Sequence, residues 1–385
     1  MGSGIDTEAA ASGLAGSAGA AGEGGVEVAV AAAVARCAGA ARLVLAFPSG
    51  LEPTRAAAQA EDAAGGATCI GLTGKGAIGP EGIVEEGCTA IAFGDEVGFG
   101  IGMRHDATDL RRAAREATSE ALAAVAGERN ILVLLFVDTP SSDQADAVAG
   151  AYDAAGPEIP LAGGGAGGRT PAQLVGGQAL REAVVAVALA APTGVGLGTA
   201  HGCRTVSSPS IVTRSDGLRL VELDGRPASD VYLERLGYGP AELSDGEFET
   251  LAVTHPLAQP ELNGDTRLRH VRWREGTVLV CATHLPSGAA VEFTHQSPKD
   301  IVAAAGRAVE ESVAALGTAP RAALIFDCAG RKGAIGGALG LESEALHSAF
   351  DAPPPIAGAF TYGEIARARG AKGDRNHAVV VAGLA

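Results

Sequence analysis

Aromatic side chains are scarce in these 385 residues. Phe, Tyr and Trp together make up 4% of the chain, tryptophan occurs once and methionine twice. The hydrophobic fraction is nonetheless 47%, so alanine and the aliphatics must fill the interior, and close-packed aliphatic cores are expected. Positive charge is also short, with 29 Lys and Arg against 45 Asp and Glu and a formal net charge of -16. The summed field repels phosphate backbones and anionic lipid, which excludes nucleic-acid and membrane partners. Neutral, zwitterionic or cationic small molecules suit the field, and a local Arg cluster can still hold a carboxylate.

Signatures of metal and catalytic chemistry are missing. The six cysteines, Cys37, Cys69, Cys88, Cys203, Cys281 and Cys328, form no C-x-x-C pair, as expected of a cytoplasmic protein in a reducing compartment. The eight histidines show neither H-E-x-x-H nor a Cys/His cluster, and there is no G-x-S-x-G elbow or P-loop. Gly163, Gly165 and Gly168 fit G-x-G-x-x-G, but no helix follows, which argues against a dinucleotide. No cofactor, metal or catalytic set is therefore expected. The uncharged stretch 183–203 reaches the membrane-spanning length of about 20 residues, yet its second half, from Pro192, is loop chemistry. It reads as a short buried strand followed by a linker. Residues 1–25, rich in Ala, Gly and Ser without a basic n-region, read as a disordered tail rather than a signal peptide.

What is present is a threefold internal repeat: helix, strand, helix, short strand, Gly-rich turn, strand. The first copy places helices over 26–41 and 52–64, a strand over 43–47, a turn after 68–73 and a return strand over 87–93. In the second, helices cover 106–126 and 143–155, a strand 131–136, and 159–162 enters Gly163–Gly168 before the return at 183–189. The third has helices over 299–316 and 342–350, a strand over 322–326, the strand and turn at 355–364 and a return at 377–384. Continuous apolar strands between such helices predict an α/β fold of mixed sheets covered by helices. Between the second and third copies, 195–296 reads as an inserted, mainly antiparallel region with turns at Asp224-Gly225 and Asn263-Gly264 and a helix from about residue 228.

Several segments resemble the FIST family. Ile325-Phe-Asp-Cys-Ala-Gly-Arg is similar to its Phe-x-Cys-x-x-Arg motif, and Gly358-Ala-Phe-Thr-Tyr-Gly-Glu-Ile to Gly-Phe-x-Thr-x-Gly-Glu-Ile. Ile159-Pro-Leu-Ala-Gly-Gly-Gly-Ala-Gly resembles Pro-x-x-Gly-Gly-x-x-Gly, and the segment from Val212 to Asp224-Gly-Arg-Pro-Ala its central strand pair and turn. Order and spacing agree over about 26–385. The resemblance implies an N-terminal domain of two repeats (26–194) and a C-terminal domain (195–385) whose third repeat begins at 297. It also implies a sensory domain for small ligands such as amino acids, often fused to signalling outputs, with haem-binding, nitric-oxide-responsive members. Gly71-Leu-Thr-Gly-Lys-Gly departs from the pattern by lacking the acid. No output module follows the last strand, so a separate signalling protein is the expected partner.

The three turns are expected to meet at one ligand site. Thr73 belongs to the first turn, Gly164 and Gly165 to the second, and Thr361, Tyr362, Gly363 and Glu364 to the third. Amides of the glycine run can meet an anion. Arg331, with Cys328, follows a buried strand; Arg331 would clamp a ligand carboxylate and Glu364 an ammonium group, unless Arg331 pairs structurally with Asp327 or Glu364. His201 and Arg204 are further polar candidates. Two alternatives stand beside this reading. One is haem with His255, His284, His295 or His377 as proximal ligand; the other is a hydrolase or isomerase using Cys328, Arg331 and Glu364.

Overall fold

The computed structural model describes residues 13–105, 107–138, 144–240, 242–261, 266–368 and 372–385. Three six-stranded sheets follow one plan. In the first, the strand Ala15–Ala21 lies at the edge and pairs antiparallel with the return strand Gly87–Phe93, which pairs with Leu43–Ser49. That inner strand runs parallel to Thr68–Leu72. The second sheet repeats the order with Gly98–Arg104, Val184–Ala190, Ile131–Val137 and Leu161–Gly165. The third uses Val195–His201, Ala378–Leu384, Ala322–Cys328 and Ile356–Thr361.

Each sheet is completed by a hairpin from another repeat. The arm Ala77–Gly79 with Gly82–Val84 joins the third sheet, Gln173–Val175 with Gln178–Leu180 joins the first, and Glu364–Arg367 with Asp374–Arg375 joins the second. The exchange is cyclic.

The register aligns the inner strands residue by residue and stacks their inward side chains in layers. Phe47, Phe136 and Phe326 form one layer, with ring centroids 6.0 to 6.4 Å apart. Leu45, Leu134 and Leu324 form the next, and Leu43, Leu132 and Ala322 the third; all nine are fully buried. Edge-to-face rings and close-packed aliphatics around one axis supply the largest core. Within each parallel strand, Gly71, Gly163 and Gly358 sit opposite the backbone of Ala46, Leu135 and Ile325. A Cβ there would lie 1.9, 2.3 and 1.8 Å from the facing carbonyl oxygens, so only glycine fits.

Helices cover the outer faces, two per repeat: Gly25–Arg36 and Pro53–Ala63, Leu110–Ala124 and Gln144–Ala155, Pro298–Leu316 and Leu339–Ser348. Pro298–Leu316 shows why the local sequence folds this way. Ser297 caps its start, Pro298 occupies the first turn, and Gly317 ends it with a left-handed φ of 74°. These helices lie almost on the edge strands, because a Cβ at Gly100 or Gly102 would fall 2.1 or 2.0 Å from a helix carbonyl, and one at Gly196 or Gly198 2.1 or 2.0 Å. An interior of alanine against glycine leaves little room for rings, which accounts for the low aromatic content.

Two sequence expectations need correction here. Within 1–25, Ala15–Ala21 is a strand with Ala15 and Ala18 buried; residues 1–12 lie outside the described residues. The strand reads as low complexity because it must be small: a Cβ at Gly16 would meet the helix backbone at 2.5 Å. The linker assigned after Pro192 is also a strand, Val195–His201, which belongs to the third repeat although 202–297 intervene before that repeat's first helix.

The inserted region is a nine-stranded, antiparallel sheet around Tyr232, Phe248 and Phe293. Asp224-Gly225 forms its hairpin turn with φ of 52° and 74°, whereas Asn263-Gly264 lies outside the described residues. No described helix is long and apolar enough to cross a membrane.

Candidate functional site

The three turns meet at the carboxyl ends of the inner strands, just above the phenylalanine layer, and their backbones bind one another. Gly167 N donates to Thr73 O (2.7 Å), Lys75 N to Phe360 O (2.8 Å), Tyr362 N to Gly165 O and Gly165 N to Gly363 O (both 2.9 Å). Above this junction opens a cavity of about 440 Å³. Lys75 comes from the first turn, Gly165 and Ala166 from the second, and Thr361, Tyr362 and Gly363 from the third, with Cys328 beside them. The inserted region closes the other side. Its helix Asp245–Thr254 brings Val253, its strand Val271–Glu275 brings Arg272 and Trp273, and His270 and Thr283 flank them. Trp273, 39% exposed, and Tyr362, 45% exposed, stand at this cavity.

A chain of defined hydrogen bonds reaches the cavity wall. The Gln296 amide is oriented by Nε2 donating to Val253 O (3.0 Å) and Oε1 accepting from the Cys203 thiol (3.3 Å). Its Nε2 therefore also donates to His377 Nδ1 (2.9 Å). His377 must then carry its hydrogen on Nε2 and donate it to His270 Nδ1 (2.9 Å), so His270 carries its own on Nε2. Burial keeps both rings neutral, lowering His377 well below the usual range and His270 to about 4. Asn376 holds the strand in place, its Oδ1 accepting from His270 N (3.2 Å) and Thr283 Oγ1 (3.3 Å).

This tautomer bears on haem. A ligating imidazole offers a lone pair to the iron and donates its other N–H outward; His270 has the reverse arrangement, with Nδ1 accepting. His270 is also the one histidine among the described residues that lines the cavity. Of the four expected ligands, His377 is fully buried with both ring nitrogens engaged, His255 and His295 stack on each other at 4.9 Å, and His284 is exposed elsewhere. The residues at this site do not fit haem. No group of three or more His, Cys, Asp or Glu suited to a metal occurs among the described residues.

Arg331 is not a ligand clamp. It is fully buried behind the cavity floor, its Nε on Asp327 (2.7 Å) and its Nη2 on Glu342 (2.5 Å) and Ile301 O (3.2 Å). Three fully buried carboxyl groups share this space, and burial first, then Asp327, pushes Glu342 up to about 8. The third, Glu364, is pushed well up by burial and does not line the cavity. The Thr361 hydroxyl lies 3.2 Å from Asp327 O and 3.3 Å from Glu364 Oε1, to either of which it can donate. Ala378 N donates to the other oxygen of Glu364 (3.2 Å). Glu364 is thus held behind the floor by Thr361 and Ala378 and does not face a ligand in the cavity. Cys328 does reach the cavity, but burial and then Glu364 push its thiol well up, so thiolate chemistry is suppressed.

Of the remaining expected site residues, Thr361, Tyr362, Gly363 and Gly165 line the cavity and the others do not. Thr73 is buried, its hydroxyl donating to Gly167 O (2.9 Å). Gly164 is paired across the strand with Glu364. The glycine run cradles no anion, because the amides of Gly165, Ala166 and Gly167 are spent on Gly363, Val137 and Thr73. His201 accepts from Cys203 N (3.3 Å), and Arg204 pairs with Asp300, both away from the cavity. Sequence reasoning missed Lys75, Gln144, His270, Arg272, Trp273, Thr283 and Asn376 as lining residues. One signal pointed there: the single tryptophan of the chain stands between two arginines, Arg272 and Arg274.

The architecture defines a pseudo-threefold α/β protein with a pocket walled by its inserted region. The chain belongs to the FIST family: the model of the FIST N domain matches residues 42–226 and that of the FIST C domain residues 228–367. Two uncharacterized proteins of Mycobacterium tuberculosis, from strains CDC 1551 / Oshkosh and ATCC 25618 / H37Rv, are each 30% identical over 171 residues. That match spans 43% of this chain and 44% of each relative's length. Among solved structures, cyanuric acid hydrolase from A. caulinodans aligns over 96% of this chain and 99% of its own at 11% identity, with a TM-score of 0.37. That likeness is too loose to carry any statement about activity.

Proposed function

We propose that this chain is a small-ligand-binding sensory domain of intracellular signal transduction, with its ligand held in the cavity where the three turns meet the inserted region. One observation carries the reading: segments distant in sequence, from Lys75 to Asn376, converge on a single cavity of about 440 Å³, within the range of about 300–1,000 Å³ typical of ligand sites. Two large aromatic side chains are left exposed there, which is costly without an occupant. The volume suits a molecule of amino-acid size or somewhat larger. All six cysteines are free, as suits a reducing cell interior. A ligand touching both walls would tie the inserted region to the repeats, and a separate protein would read that change in stiffness.

The test uses the chain's own reporter. Trp273 is the single tryptophan, so its fluorescence reports this cavity alone. Titration with a panel of amino acids and small organic acids is expected to give a saturable change for at least one compound. Ala282→Phe, which fills half-buried lining space, should abolish the response while the unliganded variant melts near wild type. A compound that raises the melting temperature of wild type and Ala282→Phe equally binds elsewhere and refutes the proposal.

A further inference from the structure

On the reading that this cavity is the ligand site, we infer that it selects a flat organic anion, an aromatic carboxylate in class, over a zwitterionic amino acid or an amine. The cavity's charged groups are Lys75 and Arg272, and no carboxylate lines it among the described residues. Lys75 is exposed and makes no ion pair among the described residues. An exposed lysine without a described ion pair thus stands at this cavity in a chain of net charge -16.

The neutral polar groups point the same way. His270 presents a hydrogen on Nε2, because its Nδ1 accepts from His377, so the ligand atom it meets must be an acceptor. The Asn376 oxygen is occupied by His270 N and Thr283 Oγ1, and Gln144 Nε2 donates to Gly363 O (3.3 Å). Among the described residues an ammonium group would thus find no carboxylate and few acceptors, whereas a carboxylate would meet Lys75 and the His270 imidazole N–H. The acids behind the floor do not reverse this, because burial holds Glu364 toward its neutral form.

Shape supplies the rest of the class. Trp273 and Tyr362 offer exposed ring surface to the same cavity, and Val137, Ala166, Val253 and Ala282 add apolar wall. Ring faces bind flat, apolar bodies by offset or edge-to-face contact.

The experiment titrates the full chain with benzoate, benzamide, benzylamine, L-phenylalanine and acetate, reading Trp273 fluorescence with calorimetry as a second readout. Benzoate is expected to bind, and benzamide, its neutral isostere, about tenfold more weakly, the worth of one charge-assisted contact. Benzylamine and L-phenylalanine should be weaker still, and acetate, lacking the ring, weaker than benzoate. Lys75→Met should cost benzoate about tenfold and leave benzamide unchanged. The class is overturned if benzamide or benzylamine matches benzoate, if Lys75→Met leaves benzoate affinity intact, or if millimolar benzoate leaves Trp273 unchanged. The two readings fail separately. A different panel member that perturbs wild type but not Ala282→Phe retains the site and removes the class, whereas benzoate stabilising Ala282→Phe as well as wild type removes the site itself.

Discussion

Replacing Arg331 by alanine deprives Asp327 and Glu342 of the cation that both touch, with all three side chains fully buried. Breaking a buried ion pair by removing one partner typically costs about 3–5 kcal/mol, because the remaining charge is left without compensation. The unfolding entropy of about 2.1 cal/mol/K per residue, taken over 385 residues, is about 0.8 kcal/mol/K. A loss of about 4 kcal/mol therefore lowers the melting temperature by about 5 °C. Differential scanning calorimetry at pH 8 and pH 5 separates electrostatics from packing. Glu342, pushed up to about 8 even with Arg331 present, is protonated at pH 5, so the deficit of Arg331→Ala should be smaller there. Restoring neutrality with Arg331→Met, Asp327→Asn and Glu342→Gln together should recover most of the loss. A variant Arg331→Ala that melts like wild type and loses only its ligand response would refute this account and return Arg331 to a ligand-clamping role.

Glu342 and His270 should tilt the pH dependence of stability in opposite senses, offsetting each other between about 4.5 and about 6.5. Glu342 has a raised folded pKa, so the folded chain holds more protons than the unfolded one between about 4.5 and about 8, and stability declines as pH rises through that window. His270 is lowered to about 4, so stability declines as pH falls from about 6.5 toward 4. Glu342→Gln should flatten the alkaline limb of a melting-temperature profile and His270→Gln the acid one; unchanged limbs would count against these assignments. Gly358→Ala would place a methyl 1.8 Å from Ile325 O, and urea denaturation should show a loss of at least about 2 kcal/mol, as for severe overpacking. Asp374→Ala leaves Arg267 and Arg269, paired to it at 2.8 and 2.9 Å, buried without that partner. Because Asp374 belongs to the third repeat and both arginines to the inserted region, this variant should loosen the cavity wall, read as a red shift of Trp273 emission in the absence of ligand, and no shift would refute it.

The repeat was legible because its inner strands are runs of aliphatics between helices, each followed later by a glycine-bearing strand and turn, a pattern that survives without an alignment. The edge strands were not. Ala15–Ala21 and Val195–His201 carry alanine and glycine because a helix lies against them, and that requirement erases the β-branched and aromatic side chains by which a strand is recognised. At the site, the meeting of three turns could be read from equivalence alone, and Thr361, Tyr362, Gly363, Gly165 and Cys328 do line the cavity. The roles of Arg331 and Glu364 could not. A polar residue just after a buried strand projects either into a cleft or back beneath it, and only the tertiary positions of Asp327, Glu342 and Ala378 decide. The inserted region's contribution was hidden for a related reason: Arg272 lies on a short alternating strand, and His270 between two such strands, whose register nothing local fixes.

The cyclic exchange of hairpins sets when this chain can finish folding. The strand Leu161–Gly165 waits for Glu364–Arg367 to cover its open side, so roughly two hundred residues must leave the ribosome before the second repeat is closed. Until then, a strand edge with unused hydrogen-bonding groups stands bare, the kind of surface on which neighbouring nascent chains pair. Maturation therefore cannot proceed one repeat at a time, because the hairpin Glu364–Arg367 with Asp374–Arg375 closes the second sheet and Ala378–Leu384 completes the third.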